Sequence, residues 1–409
     1  MAKVYIIDVT NRDGVQTSRL GLAKLQKTII NILLNKMGIY QSEMGFPVTK
    51  HEINYLKANL LLAKKGVLAP IVLSGWMRAI KEDVEEALKN VPIQHINISI
   101  STSDQMIQGK FLGKVTRKDV IDRMVEALKT AKTNGIKTIG VNAEDASRTD
   151  LNYLVEFGVA AKENGADRLR YCDTLGYDTP FTIYDRIAYL VEKIKLPIEL
   201  HCHNDLGMAV ANSIAGAKAA IDCGFDAYIN TTVNGMGERC GNADLVSVIL
   251  ALKKGAGLAE KYELDKAVDL KVSWKLAKYA SYAFGVPIPI NQVGVGANAF
   301  AHESGIHVDG ALKDSRNYEL YHYEELGRGE PEIIETGRMI TVGEYSGIKG
   351  FRNVYGKLEI EFKSEEEAKR ILDLVRYANV HTQKPLVEDE LRFIADHPDE
   401  AALLMTMTI

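Results

Sequence analysis

Leu196-Pro197-Ile198-Glu199-Leu200-His201-Cys202-His203-Asn204-Asp205 decides the fold, because it reads as a strand that ends in a polar loop. Side chains alternate between the faces of a strand, so Glu199, His201 and His203 share one face while Leu200 and Cys202 take the other. Two imidazoles about 7 Å apart at the carboxyl end of a strand can grip one divalent cation. The plainer alternative is a pair of core histidines satisfied by hydrogen bonds. The Asn-Asp that follows at the strand end favours a site, which then needs a further ligand and a substrate from elsewhere in the chain.

Working outward, the first two-thirds of the 409 residues alternate short apolar strands with amphipathic helices. Strands are expected at Val4–Val9, Tyr40–Met44, Pro70–Leu73, His95–Ile100, Thr138–Asn142, Arg168–Cys172, the opening stretch and Ala227–Thr232. Helices are expected between them, the last near Ala243–Lys254. Gly38, Gly66, Gly135, Gly165 and Gly224 each follow a helical stretch, the usual place for a left-handed helix stop. Eight β–α units in succession predict a (β/α)8 TIM barrel, an α/β fold whose chemistry collects at the carboxyl ends of the strands. Those ends are polar in every unit. Residues 1–257 are expected to form the barrel, 258–335 a linker and lid, and 336–409 a smaller, mostly helical C-terminal region. A helix is expected over Leu264–Phe284, before Pro287-Ile288-Pro289, and the apolar tail Ala402–Ile409 is expected to pack on a partner chain.

A net charge of −4 with no basic run argues against nucleic-acid binding. No apolar run approaches the roughly 18 residues of a membrane span, and the chain opens on a strand where a leader would be apolar. The four cysteines form no C-x-x-C pair and read as reduced, cytoplasmic thiols.

The loop after the first strand supplies the missing ligand. In Asn11-Arg12-Asp13-Gly14-Val15-Gln16, Asp13 is a hard oxygen donor that completes the His201/His203 pair, and Arg12 offers a guanidinium to a developing oxyanion.

Four motifs then carry a resemblance, in colinear order over nearly the whole chain. They are Arg12-Asp13-Gly14-x-Gln16, His201-x-His203-Asn204-Asp205-Leu206-Gly207, Asn234-Gly235-x-Gly237-Glu238-Arg239-x-Gly241-Asn242 and Phe300-x-His302-x-x-Gly305-Ile306-His307. The sequence resembles the 2-isopropylmalate/homocitrate synthase family, which includes the Re-type citrate synthases. Related acyl-CoA lyases share the barrel and metal motif but are not expected to carry the last segment. The resemblance implies a Claisen condensation of acetyl-CoA with a 2-oxo acid, followed by thioester hydrolysis.

By resemblance, Asp13, His201, His203 and Asn242 hold a divalent metal, Mn2+ first, with Mg2+, Co2+ or Zn2+ as alternatives. Arg12, Glu144, His307 and Tyr318 would be catalytic. Gln16, Arg78, Arg148, Thr174 and Glu199 would line the 2-oxo acid, and Asn234, Gly235, Gly237 and Glu238 would meet the CoA arm. The family's lid reaches the neighbouring subunit, which implies a homodimer with exchanged C-terminal segments. The first motif departs from the family at Asn11 and Val15, and the late Gly-Lys-His-Ser-Gly motif is replaced by Gly343-Glu344-Tyr345-Ser346-Gly347. The lysine-pathway homocitrate synthases carry a histidine where Ile80 stands. That departure, with the form of the first motif, favours oxaloacetate (citrate as product) over 2-oxoglutarate (homocitrate). A branched 2-oxo acid, an acyl-CoA lyase and a non-catalytic 2-oxo acid sensor rank behind.

Overall fold

The computed structural model describes residues 2–258, 262–264, 268–332 and 337–407. The barrel runs β1 (Ala2–Asp8), α1 (Lys24–Met37), β2 (Gln41–Gly45), α2 (Ile53–Lys64), β3 (Val72–Arg78), α3 (Lys81–Asn90) and β4 (His95–Ser101). It continues through α4 (Asp104–Lys110), α5 (Arg117–Thr133), β5 (Thr138–Glu144), α6 (Leu151–Glu163), β6 (Arg168–Asp173) and α7 (Pro180–Ile194). Then come β7 (Ile198–Cys202), α8 (Ala209–Asp222), β8 (Ala227–Thr231) and α9 (Leu245–Lys254). Neighbouring strands are parallel, and β1 pairs with both β8 and β2, the latter through Ile7↔Gln41 and Asp8↔Ser42, which closes the cylinder. A short β9 (Tyr262–Leu264) adds to the start of β1. The five helix-stop glycines have φ between 78° and 92°, as their C-terminal role requires.

Three expectations need correction. Strand three does not stop at Leu73 but runs to Arg78. Ser74-Gly75 interrupts the apolar run, yet a polar side chain suits an inward position in this polar barrel interior, and Ser74 Oγ accepts from Gln41 Nε2 at 2.8 Å. The helix α4 was not foreseen; seven residues carry too little periodicity to read, although Ser103 caps it by accepting from Met106 N. The helix expected from Leu264 begins at Ser273 as α10 (Ser273–Phe284), after a 3-10 turn at Leu270–Val272.

Beyond the barrel lie α11 (Gly305–Lys313), α12 (Ile348–Lys357), α13 (Glu365–Thr382), α14 (Glu388–Asp396) and α15 (Pro398–Leu404). Phe351, Tyr355 and Phe362 pack ring on ring, and α15 seats on α2. Of the apolar tail, Leu404 and Met405 are buried within their own chain, while Met407 is 67% exposed. Residues 408–409 and the expected boundary at 335 lie outside the described residues.

The barrel interior is ionic. Strand alternation sends Arg168, Arg170 and Cys172 of β6 inward with Glu199 and His201 of β7, while Leu169, Tyr171 and Leu200 face the helices. At the amino end, Tyr5 stacks on Tyr228 at 4.5 Å, and the Arg168 guanidinium lies over the Tyr228 ring. Above that plug sits a layer of paired charges, and above the layer lies the site.

Candidate metal centre and active site

The carboxyl ends of β1, β7 and β8 bring three ligand types together. Asp13, His201 and His203 are buried, with one ligand atom from each lying within 4.8 Å of the others. Asp13 Oδ2 is 3.8 Å from His201 Nε2 and 3.9 Å from His203 Nε2. Asn242 joins them through an isolated backbone bridge to His203. Its Nδ2 donates to Asp13 Oδ2 at 2.7 Å and to the Met236 carbonyl, which leaves its Oδ1 buried without a partner.

Charge states fit a cation. Burial pushes the His201 imidazolium down to about 3, so the ring is neutral, and burial lowers His203 as well. His201 Nδ1 faces Asn230 Oδ1 at 3.1 Å, so Nδ1 carries the proton and Nε2 keeps its lone pair toward Asp13. Burial opposes ionisation of Asp13, but the Arg12 guanidinium, with the hydrogen bond from Asn242, holds the carboxyl well below its usual range. One carboxylate, two neutral imidazoles and an orphaned amide oxygen suit a divalent cation with open positions.

Behind the ligands runs a continuous network. Asn230 Nδ2 donates to Glu199 Oε1 at 2.7 Å. Glu199 also accepts from Arg168 Nε at 2.5 Å and Arg170 Nε at 2.7 Å. Arg170 reaches Glu43 Oε2 at 2.5 Å; Glu43 takes Arg12 Nε at 2.6 Å, and Arg12 Nη1 takes Asp13 Oδ1 at 2.5 Å. Both internal carboxylates are fully buried. Burial opposes their charge, yet the flanking guanidiniums win and hold Glu43 down at about 2 and Glu199 below its ordinary value.

A cavity of about 220 Å³ opens over the cluster. Arg12, Asp13, Gln16, Glu144, Thr174, His201, His203 and Glu238 line it. Phe46, Trp76, Ser99, Asn142, Arg170, Cys172 and Arg239 line it too. Burial raises the Cys172 thiol far above its normal value, so it stays protonated and inert.

Residues 3–278 match the HMGL-like family model, and residues 295–382 match the homocitrate synthase post-HMGL domain-like model. The chain belongs to the HMGL-like family. Over 410 aligned residues it is 62% identical to the citrate (Re)-synthase of Dehalococcoides mccartyi strain CBDB1, covering 100% of this chain and 99% of that one. It is 41% identical to 2-isopropylmalate synthase 2 of Caldanaerobacter subterraneus subsp. tengcongensis, covering 96% and 94%. It is 34% identical to homocitrate synthase 1 of Nostoc sp., covering 96% of each chain. Among solved structures, the HMG-CoA lyase of Bacillus subtilis superposes with a TM-score of 0.57 at 19% identity, covering 71% of this chain and 96% of that one. At that identity the likeness is one of fold alone.

Within this HMGL-like site, several expected residues sit elsewhere. Arg78 does not face the cavity: at the end of β3 it turns outward, its side chain 64% exposed, and clamps Asp83 of α3 through two bonds of 2.7 Å. Glu199 lies beneath the cavity floor with both oxygens taken by the layer. Arg148 is bound to Asp145 through Nε and Nη2 at 2.7–3.0 Å and shapes its own loop. In the glycine-rich loop Glu238 is exposed and lines the cavity, while the glycines pack close to Asn242. Gly237 (φ 156°) lets its backbone pass Asn242, where a Cβ would lie 2.0 Å from Nδ2. Asn234 donates to the Ala277 carbonyl of α10, and the Gly235 carbonyl accepts from Asn242 N. Glu144 holds Ser101 Oγ at 2.5 Å and Lys110 of α4 at 2.8 Å.

His307 of α11 and Tyr318, five residues beyond its end, stack at 4.2 Å, but both are exposed and neither is among the cavity-lining residues. Gly310 makes room for that stack, since a Cβ there would meet Tyr318 Cε2 at 2.3 Å.

The sequence reading missed Glu43, Trp76, Asn142 and Arg170. A signal for Arg170 was present. Charges at every second position inside a strand, as in Arg168-Leu169-Arg170, have nowhere to go in a barrel except inward.

Proposed function

We propose that this chain condenses acetyl-CoA with oxaloacetate and hydrolyses the thioester, giving citrate and CoA with Re-type attack. The observation that carries the substrate is the 62% identity over the full chain to a citrate (Re)-synthase. The metal-type cluster and its cavity support the chemistry.

Asp13, His201, His203 and Asn242 Oδ1 would hold a divalent cation, Mn2+ first. When bound, it supplies Lewis-acid polarisation of the 2-oxo group. Arg12, held by Asp13 and Glu43, keeps its guanidinium at the cavity edge to stabilise the developing alkoxide. Thr174 Oγ1 accepts from Asp145 N at 2.9 Å, so its own proton is left to donate to a substrate carboxylate. Gln16 and Glu238 close the walls, and Glu144 sits at the mouth.

The base that removes the acetyl methyl proton is His307, with Tyr318 beside it, supplied from a second copy of the chain. Support comes from α11, which has no buried residue; Ile306 and Leu312 are 76% and 83% exposed. Large apolar side chains left open in this way suit an exchanged dimer. Asp309 and Lys313 pair at 2.6 Å on the same side of α11, between Ile306 and Leu312. Free thiols at all four cysteines accord with a cytoplasmic setting. Among the described residues no helix is long and apolar enough to cross a membrane.

The test is thiol release from acetyl-CoA with oxaloacetate, 2-oxoglutarate and 2-oxoisovalerate, with Mn2+ and with chelator. Oxaloacetate-dependent release that chelator abolishes is expected. Release with 2-oxoglutarate or 2-oxoisovalerate in its place refutes the citrate reading.

A further inference from the structure

The strand order places β7, β8 and β1 side by side and β3, β4 and β5 across the cylinder from them. A 2-oxo acid anchored at Asp13, His201 and His203 therefore points its far end at Trp76, Ser99 and Asn142. Among the described residues, no unpaired cation awaits it on the lining. Arg12 and Arg170 each face carboxylates of the layer, and Arg239 is taken by Asp205 at 2.8 Å.

Trp76 dominates that wall and is held on three sides. Phe46 meets it edge to face at 5.6 Å, and the Arg12 guanidinium lies 5.6 Å from its ring centre. Asn142, with its amide oriented to satisfy its neighbours, accepts from Trp76 Nε1 at 3.1 Å and Arg170 Nη1 at 3.2 Å. An indole clamped by a ring, a cation and a hydrogen bond cannot swing aside. Arg170, in turn, is immobilised by two buried carboxylates. Such a wall resists a longer ligand because every retreat breaks a buried contact.

We infer that Trp76, braced by Phe46 and Asn142, sets the length of the acid the site accepts. It admits the four-carbon 2-oxo dicarboxylate and excludes the acid one methylene longer. This rests on the reading of the site as one for a 2-oxo dicarboxylate. The Ser99 hydroxyl and the Asn142 amide are the polar groups on the wall that the far carboxylate meets.

The experiment compares kcat/KM for oxaloacetate and 2-oxoglutarate by thiol release in wild type, Trp76→Leu and Trp76→Phe. One methylene against a fixed wall is worth about 10–200-fold. Trp76→Leu is therefore expected to raise the 2-oxoglutarate/oxaloacetate ratio at least tenfold, and Trp76→Phe to raise it less. The ratio cancels any shared loss from disturbing Arg12, which serves both acids alike. A ratio within about twofold of wild type in Trp76→Leu overturns the gauge. Where Trp76→Leu fails to fold, Phe46→Leu loosens the same wall from behind, and an unchanged ratio there overturns it equally. Wild-type enzyme that releases no thiol with either acid overturns the functional reading itself, a distinct result.

Discussion

Replacing Glu199 by glutamine separates a residue that touches substrate from one that holds the barrel together. The carboxylate is fully buried and accepts from Arg168, Arg170 and Asn230 at 2.5–2.7 Å. In its layer three guanidiniums (Arg12, Arg168, Arg170) face three carboxylates (Asp13, Glu43, Glu199). Glutamine keeps the shape, removes one negative charge and turns one acceptor into a donor aimed at a guanidinium. One buried positive charge is then unanswered, and losing one partner of such a pair costs about 3–5 kcal/mol. Burial itself opposes the Glu199 charge, so relief of that penalty returns a part, and we expect a net loss of about 3 kcal/mol.

The assay is urea unfolding followed by circular dichroism at pH 7.5, with chelator present so that cation binding adds nothing to stability. With a slope of about 3 kcal/mol/M, the midpoint falls by about 1 M. The same change reaches the ligands, because Asn230 spans Glu199 and His201 Nδ1. Cation affinity is expected to fall about 10–100-fold, as for the loss of other outer partners of metal ligands. A stability loss under about 1 kcal/mol, with a raised KM for the 2-oxo acid and unchanged cation affinity, refutes the structural assignment and returns Glu199 to the substrate.

Acid titration should show opposite signs at two sites. Glu43 is held down at about 2, so its stabilisation is complete above the ordinary value of 4.5 and is lost as pH falls from there toward 2. Glu390 is raised by burial to about 7, so stability falls as pH climbs from 4.5 to 7; Glu390→Gln should flatten that slope in urea midpoints, and equal slopes would refute it. Gly237→Ala drives a Cβ into Asn242 and should weaken Mn2+ binding about tenfold or more by calorimetry, with little change expected for Gly66→Ala, where nothing lies within 4 Å of the new carbon. Mixing inactive Asp13→Asn and His307→Ala chains, after co-refolding, should restore about a quarter of wild-type activity, since half the dimers then hold one intact site in two; no recovery would place His307 in its own chain's site.

The barrel was legible because strand–helix alternation and helix-stop glycines are local signals, and each β–α unit repeats them. The clustering of Asp13, His201 and His203 was legible because His201-x-His203 and Asp13 fall at strand ends, where chemistry must sit in this fold. What the sequence hid was the direction of side chains once a strand stops. Arg78 belongs by alternation to the inward face, yet at the last residue of β3 it is free to turn to Asp83. Glu199 shares its face with His201, and only the neighbours Arg168 and Arg170 on β6 decide that it is consumed below the cavity. Nothing in the Gly235–Gly237 run announces that Asn242 packs against Gly237, a contact that only the folded loop shows. In each case a contact between elements distant in sequence overrode a correct local reading.

The ionic layer also explains how a site lined by three arginines avoids binding anions without discrimination. Arg12 and Arg170 are paired with buried carboxylates and Arg239 with the half-buried Asp205, so each lining guanidinium is already answered. The attraction for an acid then comes from whatever occupies the Asp13/His201/His203 cluster, and the two charges of a divalent cation match a dianionic 2-oxo acid. Arg12 is spared for the reaction because Glu43 and Asp13 fix its direction while leaving it at the cavity edge. A lysine at position 12 would keep the charge but lose the fork that reaches both carboxylates at once, and the network would open at its centre. Affinity thus rests on the loops at the strand ends, orientation on the layer beneath them, and length on the wall opposite.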